Sequence, residues 1–296
     1  MRYNISTKAE WENIPKVALT QKLIKSIKKN PARATGLCII CAMVLISILA
    51  PNIATHDPRE MGYQPFQHPS PEHLLGTDNM GKDIFSQLVF ASRISLTIGF
   101  AASTAAICIG FTIGLLAGYF RGRLEDILLG ITDTFIIIPG LPLMILFSVY
   151  LGPGVWTLVS VIALLWWCGT ARVVHSRVIQ VREMSFIESA RAMGFGNMYI
   201  LFRHILKNTA DIIVARWSLA VASAMMAEAG LSFLGLGDPL QISWGGMISK
   251  AFNYGGFVLD LWWWYIAPGL MICICAMSFF LIAMRERKMP YKMEML

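Results

Sequence analysis

Few residues of this sequence combine a reactive side chain with a setting in which it could serve catalysis or metal binding. Two carboxylates, Asp133 and Glu228, lie within long apolar segments, but towards opposite faces of any membrane those segments cross. An active site inside a membrane needs its ionisable groups at a matching depth. The chain also contains no GxxxxGKS or GxxxxGKT phosphate-binding sequence and no HExxH zinc sequence. We therefore expect no catalytic residue and no enzymatic activity in this chain.

Metal ligands are equally sparse. Cys38 and Cys41 form a CIIC sequence with metal-like spacing, but no histidine or acidic residue accompanies them, and thiols in apolar segments usually act as small apolar groups. His56, His68 and His73 fall within one polar stretch, where roles in turns are the default interpretation. The sequence therefore predicts no metal site.

The elements that must position these residues are membrane spans. The sequence is 56% hydrophobic and only 15% charged, a balance outside the usual range of soluble domains. A bilayer core needs about 20 apolar residues per spanning helix. Residues 34–55, 94–120 and 261–284 contain no Asp, Glu, Lys or Arg, and each is long enough to span once. Residues 134–171 form a longer run without charge.

Prolines and glycines divide that longest run. The sequence LGPG at residues 151–154 predicts a turn between one helix at 126–151 and another at 155–172, and Pro139 and Pro142 interrupt the first of them. A sixth span, 212–236, includes Arg216 and Glu228. The sequence thus predicts an all-α polytopic membrane protein with six transmembrane helices, with five spans and a buried surface helix as the alternative.

The basic residues orient the six spans. Of the 25 Lys and Arg residues, 20 fall in four segments that lie on one side: 8 before the first span, 2 in RGRLED, 6 in residues 172–207 and 4 in RERKMPYK. The positive-inside rule places both termini and the long basic loop in the cytoplasm. The net charge of +7 then reflects membrane topology, and a nucleic-acid partner is not expected.

One cytoplasmic stretch, FIESARAMGFGNMYILFRHILKN, needs a separate explanation. It predicts a helix, a turn at GFGN and a second helix that Asn197 could cap. One side of it is charged, whereas Phe186, Met193, Tyr199, Phe202 and Leu206 form an apolar side that should be buried against something. It either packs under its own span ends or docks on another protein.

This stretch resembles the EAA loop of ATP-binding-cassette importer permeases, in which E-A-A is followed after three residues by G and later by a hydrophobic L-P-N. Ser189 stands where that pattern has Ala, and Lys207 where it has Pro. The matching positions, which the resemblance implies couple the permease to ATPase subunits, are Glu188, Ser189, Ala190, Gly194, His204, Leu206 and Asn208.

Three further stretches narrow the resemblance. Residues 73–100 (HLLGTDNMGKDIFSQLVFASRISLTIGF), 227–248 (AEAGLSFLGLGDPLQISWGGMI) and 262–270 (WWWYIAPGL) are similar to segments of the second permease subunit of dipeptide, oligopeptide and nickel importers. The C-terminal tail departs from the family pattern, although its basic residues suit an inner-leaflet anchor.

The resemblance implies a type I importer permease fold in a prokaryotic plasma membrane. Its expected partners are a second homologous permease subunit, two ATP-binding subunits and an extracytoplasmic substrate-binding protein. ATP and magnesium would bind the ATPase subunits, with no cofactor in this chain. Peptides are the first expectation for the substrate, with nickel or a metal chelate as the alternative. A gradient-driven secondary transporter, or a structural membrane subunit, is the alternative of another class.

These expectations divide the chain into four parts and leave two candidate sites. The candidate residues for a translocation path or gate are Glu228, Pro139 and Pro142, and for Glu228 a purely tethering role is the alternative. The parts are a cytoplasmic amphipathic segment at 1–33, the first span and extracytoplasmic loop at 34–93, a five-helix core at 94–284 that contains the coupling loop 182–208, and a basic tail at 285–296.

Overall fold

The computed structural model describes residues 31–283, without the side chains of residues 210 and 211. Most of the expected amphipathic segment and the whole basic tail lie outside the described residues. Between residues 31 and 283 every regular element is a helix, apart from one isolated β-bridge that joins Thr77 to Asp83. The all-α prediction is therefore confirmed.

Eleven α-helices follow one another in the described part of the chain, and a π-helical turn at Leu201–Ile205 joins the eighth to the ninth. They are α1 (Pro31–Ile48), α2 (Ala50–Ile53), α3 (Ile84–Phe120), α4 (Arg123–Ile137), α5 (Gly140–Leu151), α6 (Val155–Arg182), α7 (Ser185–Ala192), α8 (Asn197–Ile200), α9 (Leu206–Phe233), α10 (Trp244–Asn253) and α11 (Trp262–Ala283).

Five of these helices, α1, α3, α6, α9 and α11, are long and apolar enough to cross a membrane. The expected single helix at 126–151 is wrong: α4 and α5 are separate and meet at an angle of 89°. The break falls at Ile138, which is extended (ψ 130°). A residue that precedes proline is disfavoured in the helical region, and the Pro139 ring imposes that restriction here.

α3 and α6 pack side by side and run in the same direction. Gly110 of α3 packs against Trp167 of α6, and Gly118, two turns further on, packs against Val178. Gly114 lies midway along the same stripe, and a Cβ atom at any of the three glycines would collide with α6. Small residues every four positions let two membrane helices approach closely. The sequence carries this stripe as a G-xxx-G-xxx-G pattern.

The parallel pair settles the path of α4 and α5. We call the end of the bundle where α3 begins the upper end, and the end where α3 stops the lower end. α3 finishes at the lower end and α6 begins at the upper end, so α4 and α5 together must carry the chain from one to the other. Contacts of α4 with α6, between Glu125 and His175 and between Phe135 and Trp167, follow that course. The bent pair is one crossing, and the crossings number six within residues 31–283.

The remaining spans alternate in direction. α9 is antiparallel to α3, because Ser95 contacts Glu228 while Thr104, further along α3, accepts a hydrogen bond from Trp217. α1 is antiparallel to α11, since Gly36 near the start of α1 packs against the end of α11. Both ends of the described chain therefore lie at the lower end, with the coupling loop.

α10 is a short helix at the upper end that the sequence analysis did not predict. The Ser243 side chain caps it by accepting a hydrogen bond from the Gly246 N–H (3.2 Å). Trp244, Met247 and Ala251 share one face and are buried in the largest core cluster, with residues of α1, α3, α9 and α11. Its burial, rather than spanning length, accounts for this helix.

Candidate coupling surface

The coupling loop contains two short helices, α7 and α8, separated by the expected turn. Gly194 has a left-handed backbone (φ +81°), and the Phe195 N–H donates to the Ala190 carbonyl (3.2 Å), a hydrogen bond typical of a glycine-terminated helix. The described residues place no atom within 4 Å of a Cβ at Gly194. Within this chain, glycine is therefore required by the backbone conformation and not by crowding.

The face of the coupling loop that points into the bundle is apolar. Ile187, Ala190 and Ile205 are fully buried, and they share a core cluster with Leu115 of α3 and Val178 of α6. The loop is thus packed against the lower ends of the two parallel helices. This is the packing under its own span ends that the sequence left as one of two alternatives.

The opposite face is also apolar, yet it is exposed. Met193 is 69% exposed, and Met198 and Phe202 are each 62% exposed. We call this exposed set the coupling surface: Phe186, Met193, Phe195, Met198, Tyr199 and Phe202. Charged side chains border it, among them the exposed Glu188, Arg191 and Arg203. An apolar patch of this kind within a polar rim is typical of a protein-binding site.

The structure divides the seven candidate coupling residues between the two faces. Glu188, Ser189, Gly194 and Asn208 are exposed, whereas Ala190 is buried against the spans. The other two are intermediate: His204 lies beside the Phe186 and Tyr199 rings, and Leu206 packs on the core cluster of the inward face. Leu206 therefore does not belong to the exposed apolar side on which the sequence analysis placed it.

Asn197 does not cap a helix as expected. α8 begins at Asn197, and Gly196 occupies the capping position without a side-chain hydrogen bond. The Asn197 side-chain oxygen instead accepts a hydrogen bond from the hydroxyl of Tyr119 (2.9 Å), which lies one residue before the end of α3. Arg182, the last residue of α6, donates to the Tyr119 carbonyl (2.8 Å). The coupling loop is thus joined to α3 by a hydrogen bond as well as by packing, and a second hydrogen bond joins α6 to α3 beside it.

Glu228 is a buried tether in this conformation. Its side chain has no exposed surface, and it accepts hydrogen bonds from Ser95 of α3 (3.2 Å) and from Ser232 (2.8 Å) of its own helix. Ser95 in turn accepts from the Trp244 N–H of α10 (3.2 Å). In this conformation the Glu228 side chain therefore faces no surface, and its hydrogen bond with Ser95 links α9 to α3. Asp133, the other intramembrane acid, pairs with Arg172 (2.6 Å).

The break between α4 and α5 lies at the surface of the bundle. Pro139 and Pro142 are both exposed. Beside them is an apolar cavity of about 440 Å³ that Leu141, Trp166 and Met226 help to line. The two prolines thus adjoin a groove shared by α5, α6 and α9.

The LGTDNMGKD sequence forms a hydrogen-bonded turn at the upper end, before α3. Asp78 accepts from the backbone N–H groups of Met80 (2.8 Å) and Lys82 (2.9 Å) and from the Gln87 side chain (2.9 Å). Asp83 caps α3 by accepting from the Ser86 N–H (2.7 Å). The motif that carried part of the resemblance therefore organises the start of the longest helix.

Comparison with known proteins identifies the class. Residues 110–289 match the family described as binding-protein-dependent transport system inner membrane component, and residues 19–71 match the N-terminal transmembrane domain of oligopeptide transport permease C. The first match covers more than half of the chain. The chain therefore belongs to the binding-protein-dependent transport system inner membrane component family, and it is a multi-pass permease subunit of an ATP-binding-cassette importer.

Individual relatives are similar over nearly their whole length. The dipeptide transport system permease protein DppC of Alkalihalophilus pseudofirmus is 36% identical over 88% of this chain and 86% of its own length. The probable D,D-dipeptide transport system permease protein DdpC of Escherichia coli is 32% identical, over 87% and 86%. The Bacillus subtilis DppC is 30% identical, over 90% and 83%.

Proposed function

We propose that this chain is one of two permease subunits through which a peptide crosses the membrane. The relatives above are named as dipeptide and D,D-dipeptide permeases, which supports a short peptide as the substrate. A second, homologous permease would complete the path. Two ATPase subunits, which bind ATP and magnesium, would bind the coupling surface, and an extracytoplasmic binding protein would deliver substrate at the upper end.

The proposed orientation has the lower end in the cytoplasm. The short connection after α3, the coupling loop and both ends of the described chain all lie there, next to the segments that hold 20 of the 25 Lys and Arg residues. Basic residues accumulate on the cytoplasmic side of membrane proteins. The ATPases therefore meet this chain at the coupling loop.

The two apolar faces of the coupling loop are the observation that carries the proposal. A loop that served only to seal its own spans would need the inward face of Ile187 and Ala190 and no other. The exposed aromatic and methionine side chains of the coupling surface have no use in the isolated chain. Aromatic and methionine residues are enriched at the centres of protein interfaces. The Glu188, Arg191 and Arg203 side chains around them favour a protein partner over lipid.

The inward face of the coupling loop transmits movement of the docked ATPases to the spans. If ATP binding displaces the coupling loop, the packed contacts of Ile187 and Ala190 move the lower ends of α3 and α6 with it. The hydrogen bond between Tyr119 and Asn197 acts in the same direction. Nucleotide then shifts the conformational equilibrium by its differential affinity for the two states. Pro139 and Pro142 mark the groove that such a motion would open or close.

The test introduces a negative charge into the coupling surface without disturbing the core. Phe202→Glu and Met193→Glu place a carboxylate at the centre of the coupling surface. Met61→Glu is the matched control, because Met61 is an equally exposed methionine in the connection between α2 and α3 (residues 54–83), which we call the upper loop. Truncating a central apolar anchor typically costs about 2 kcal/mol or more of binding energy, roughly 30-fold in affinity. All three chains should insert and purify alike, and only the first two should lose the ATPase subunits and ATP-dependent dipeptide uptake.

Three outcomes would contradict the proposal. Normal recovery of ATPase subunits with Phe202→Glu and Met193→Glu would show that the ATPases do not bind the coupling surface. Dipeptide uptake by this chain without ATPases, driven by an ion gradient, would favour a secondary transporter. ATP-dependent uptake of nickel but of no dipeptide would show that the substrate is nickel and not a peptide. It would not contradict the proposed coupling mechanism.

A further inference from the structure

Three potential metal ligands converge at the upper end, although they come from separate segments. His56 follows α2, His73 lies in the loop that leads to α3, and Asp83 is the capping residue of α3. Each offers one ligand atom, and these atoms all lie within 4.8 Å of one another. The residues are 17 and 10 positions apart, a spacing that matches no familiar metal motif, so the sequence analysis assigned the histidines to turns.

The Asp83 carboxylate divides its two oxygens between different tasks. Oδ2 accepts from the Ser86 N–H (2.7 Å) and from the Thr55 hydroxyl (3.4 Å), and so it caps the helix. Oδ1 lies 2.9 Å from His73 Nδ1 and 3.9 Å from His56 Nδ1. Both imidazoles therefore direct the same ring nitrogen at one carboxylate oxygen. His56 Nδ1 also lies 3.1 Å from the Thr55 hydroxyl oxygen, and a bound metal ion would replace that contact.

The surroundings hold these groups in place and leave one side open. Asp83 and His73 are almost fully buried, whereas the His56 side chain is 24% exposed. The His56 N–H donates to the Ser86 hydroxyl (3.0 Å), which fixes its backbone to α3. A cavity of about 890 Å³ adjoins His56, and its lining combines polar and apolar residues of the same loop, of α3 and of the segment before α10. An ion and a coordinating water would enter from this side, past His56.

Tyr63 packs against both imidazole rings, with ring centroids 5.3 Å from His56 and 4.6 Å from His73. Its hydroxyl donates to Glu60 (3.3 Å). The Tyr63 ring thus forms one wall of the site.

We propose that His56, His73 and Asp83 bind a divalent transition-metal ion, with zinc as the reference ion and a water as fourth ligand. Two imidazoles and one carboxylate are a ligand set that zinc accepts, and its bonds of about 2.0–2.1 Å to nitrogen place ligand atoms roughly 3.3 Å apart. The His73 and Asp83 atoms are already that close, whereas the widest ligand separation reaches 4.8 Å, so the His56 ring must move inward by about 1.5 Å. The ion would clamp the end of the first span, the upper loop and the start of α3 together.

The experiment measures zinc binding to the full-length chain, purified in detergent with any affinity tag removed and stripped with a chelator. The wild type should bind one equivalent of Zn²⁺, and its thermal midpoint should rise as Zn²⁺ is added. His56→Gln should weaken binding at least 10-fold and abolish the zinc-dependent rise. This variant keeps the Asp83 cap and the His73 hydrogen bond, so it should fold without the metal.

His68→Gln is the matched control, because His68 lies in the same loop but its ring packs on Trp263, away from the three ligands. It should bind Zn²⁺ as the wild type does. Co²⁺ in place of Zn²⁺ should give the visible absorption of nitrogen and oxygen ligands without thiolate charge-transfer bands, which separates this site from the cysteines of α1. Wild-type protein that binds no equivalent of Zn²⁺, or His56→Gln that binds as the wild type does, would overturn the proposal and leave a hydrogen-bonded turn.

Discussion

The close approach of α3 and α6 can be tested with one added methyl group. In Gly114→Ala the new carbon would collide with the Ala171 carbonyl oxygen and would lie 2.9 Å from Val174 Cβ and 3.0 Å from the His175 nitrogen. Carbon atoms in contact are normally about 3.5–4.0 Å apart. α6 must therefore move away from α3 by roughly 1 Å, because its backbone cannot rotate aside as a flexible side chain could.

The magnitude follows from two opposing terms. Overpacking of this kind costs about 1–3 kcal/mol. Alanine is favoured over glycine inside a helix by about 0.5–1 kcal/mol, which offsets part of that loss. Gly130→Ala isolates the second term, because Gly130 lies inside α4 with no atom within 4 Å of a Cβ. The two variants should therefore differ in free energy of unfolding by about 1–3 kcal/mol, which is the overpacking term alone.

The assay is thermal unfolding of the purified chain in detergent, with both variants beside the wild type. A difference of 1 kcal/mol corresponds to about 2–4 °C in the midpoint for chains of roughly this size. Gly114→Ala should unfold below the wild type, and Gly130→Ala at or slightly above it. If Gly114→Ala raises the midpoint as much as Gly130→Ala does, α3 and α6 do not pack through this stripe, and the argument for a parallel pair loses its basis.

Two other contacts give sharp expectations. Glu228→Leu should lower the yield and thermal stability of folded protein, because it leaves the buried Ser95 and Ser232 hydroxyls without their acceptor, at a cost of about 1–3 kcal/mol. Glu228→Gln should retain most of the yield and stability. Equal stability of the two variants would exclude a tethering role for Glu228. Tyr119→Phe removes the hydrogen bond to Asn197 and should leave folding intact but reduce substrate-stimulated ATP hydrolysis in the assembled transporter, by up to about 5-fold for a hydrogen bond of about 1 kcal/mol. Tyr150→Phe, at an exposed tyrosine, is the control and should change nothing. Full stimulation in Tyr119→Phe would exclude the Tyr119–Asn197 hydrogen bond from coupling.

Composition and charge were enough to predict most of the membrane fold. Long uncharged runs have few stable alternatives to spanning helices, so the six crossings were visible in the sequence. The Asp133 and Arg172 pair was also predictable, because an acid within a span favours the nearest available base. The position of the break at Pro139 followed from its chemistry, but its angle of 89° did not, since packing against α6 and α9 decides the direction of the second half.

The features that the sequence analysis missed depend on contacts between distant segments. Glu228 accepts a hydrogen bond from Ser95, which lies 133 positions earlier, and no local sequence pattern links the two residues. The same holds for His56 and Asp83, which only the fold of the upper loop brings together. For α10 a signal was present, because Trp244, Met247 and Ala251 recur at helical spacing, but the helix is too short to stand out beside the spans.

The length of α3 has a mechanical consequence. Its 37 residues form an unbroken rod about 55 Å long, nearly twice the thickness of the roughly 30 Å hydrocarbon core of a bilayer. Asp83 caps one tip, and Tyr119 lies one residue from the other. A rod without a hinge transmits force without absorbing it, so the upper loop and the coupling loop sit at the two ends of one lever. The neighbouring crossing differs, because α4 and α5 are separated by a break at Ile138 and meet at 89°.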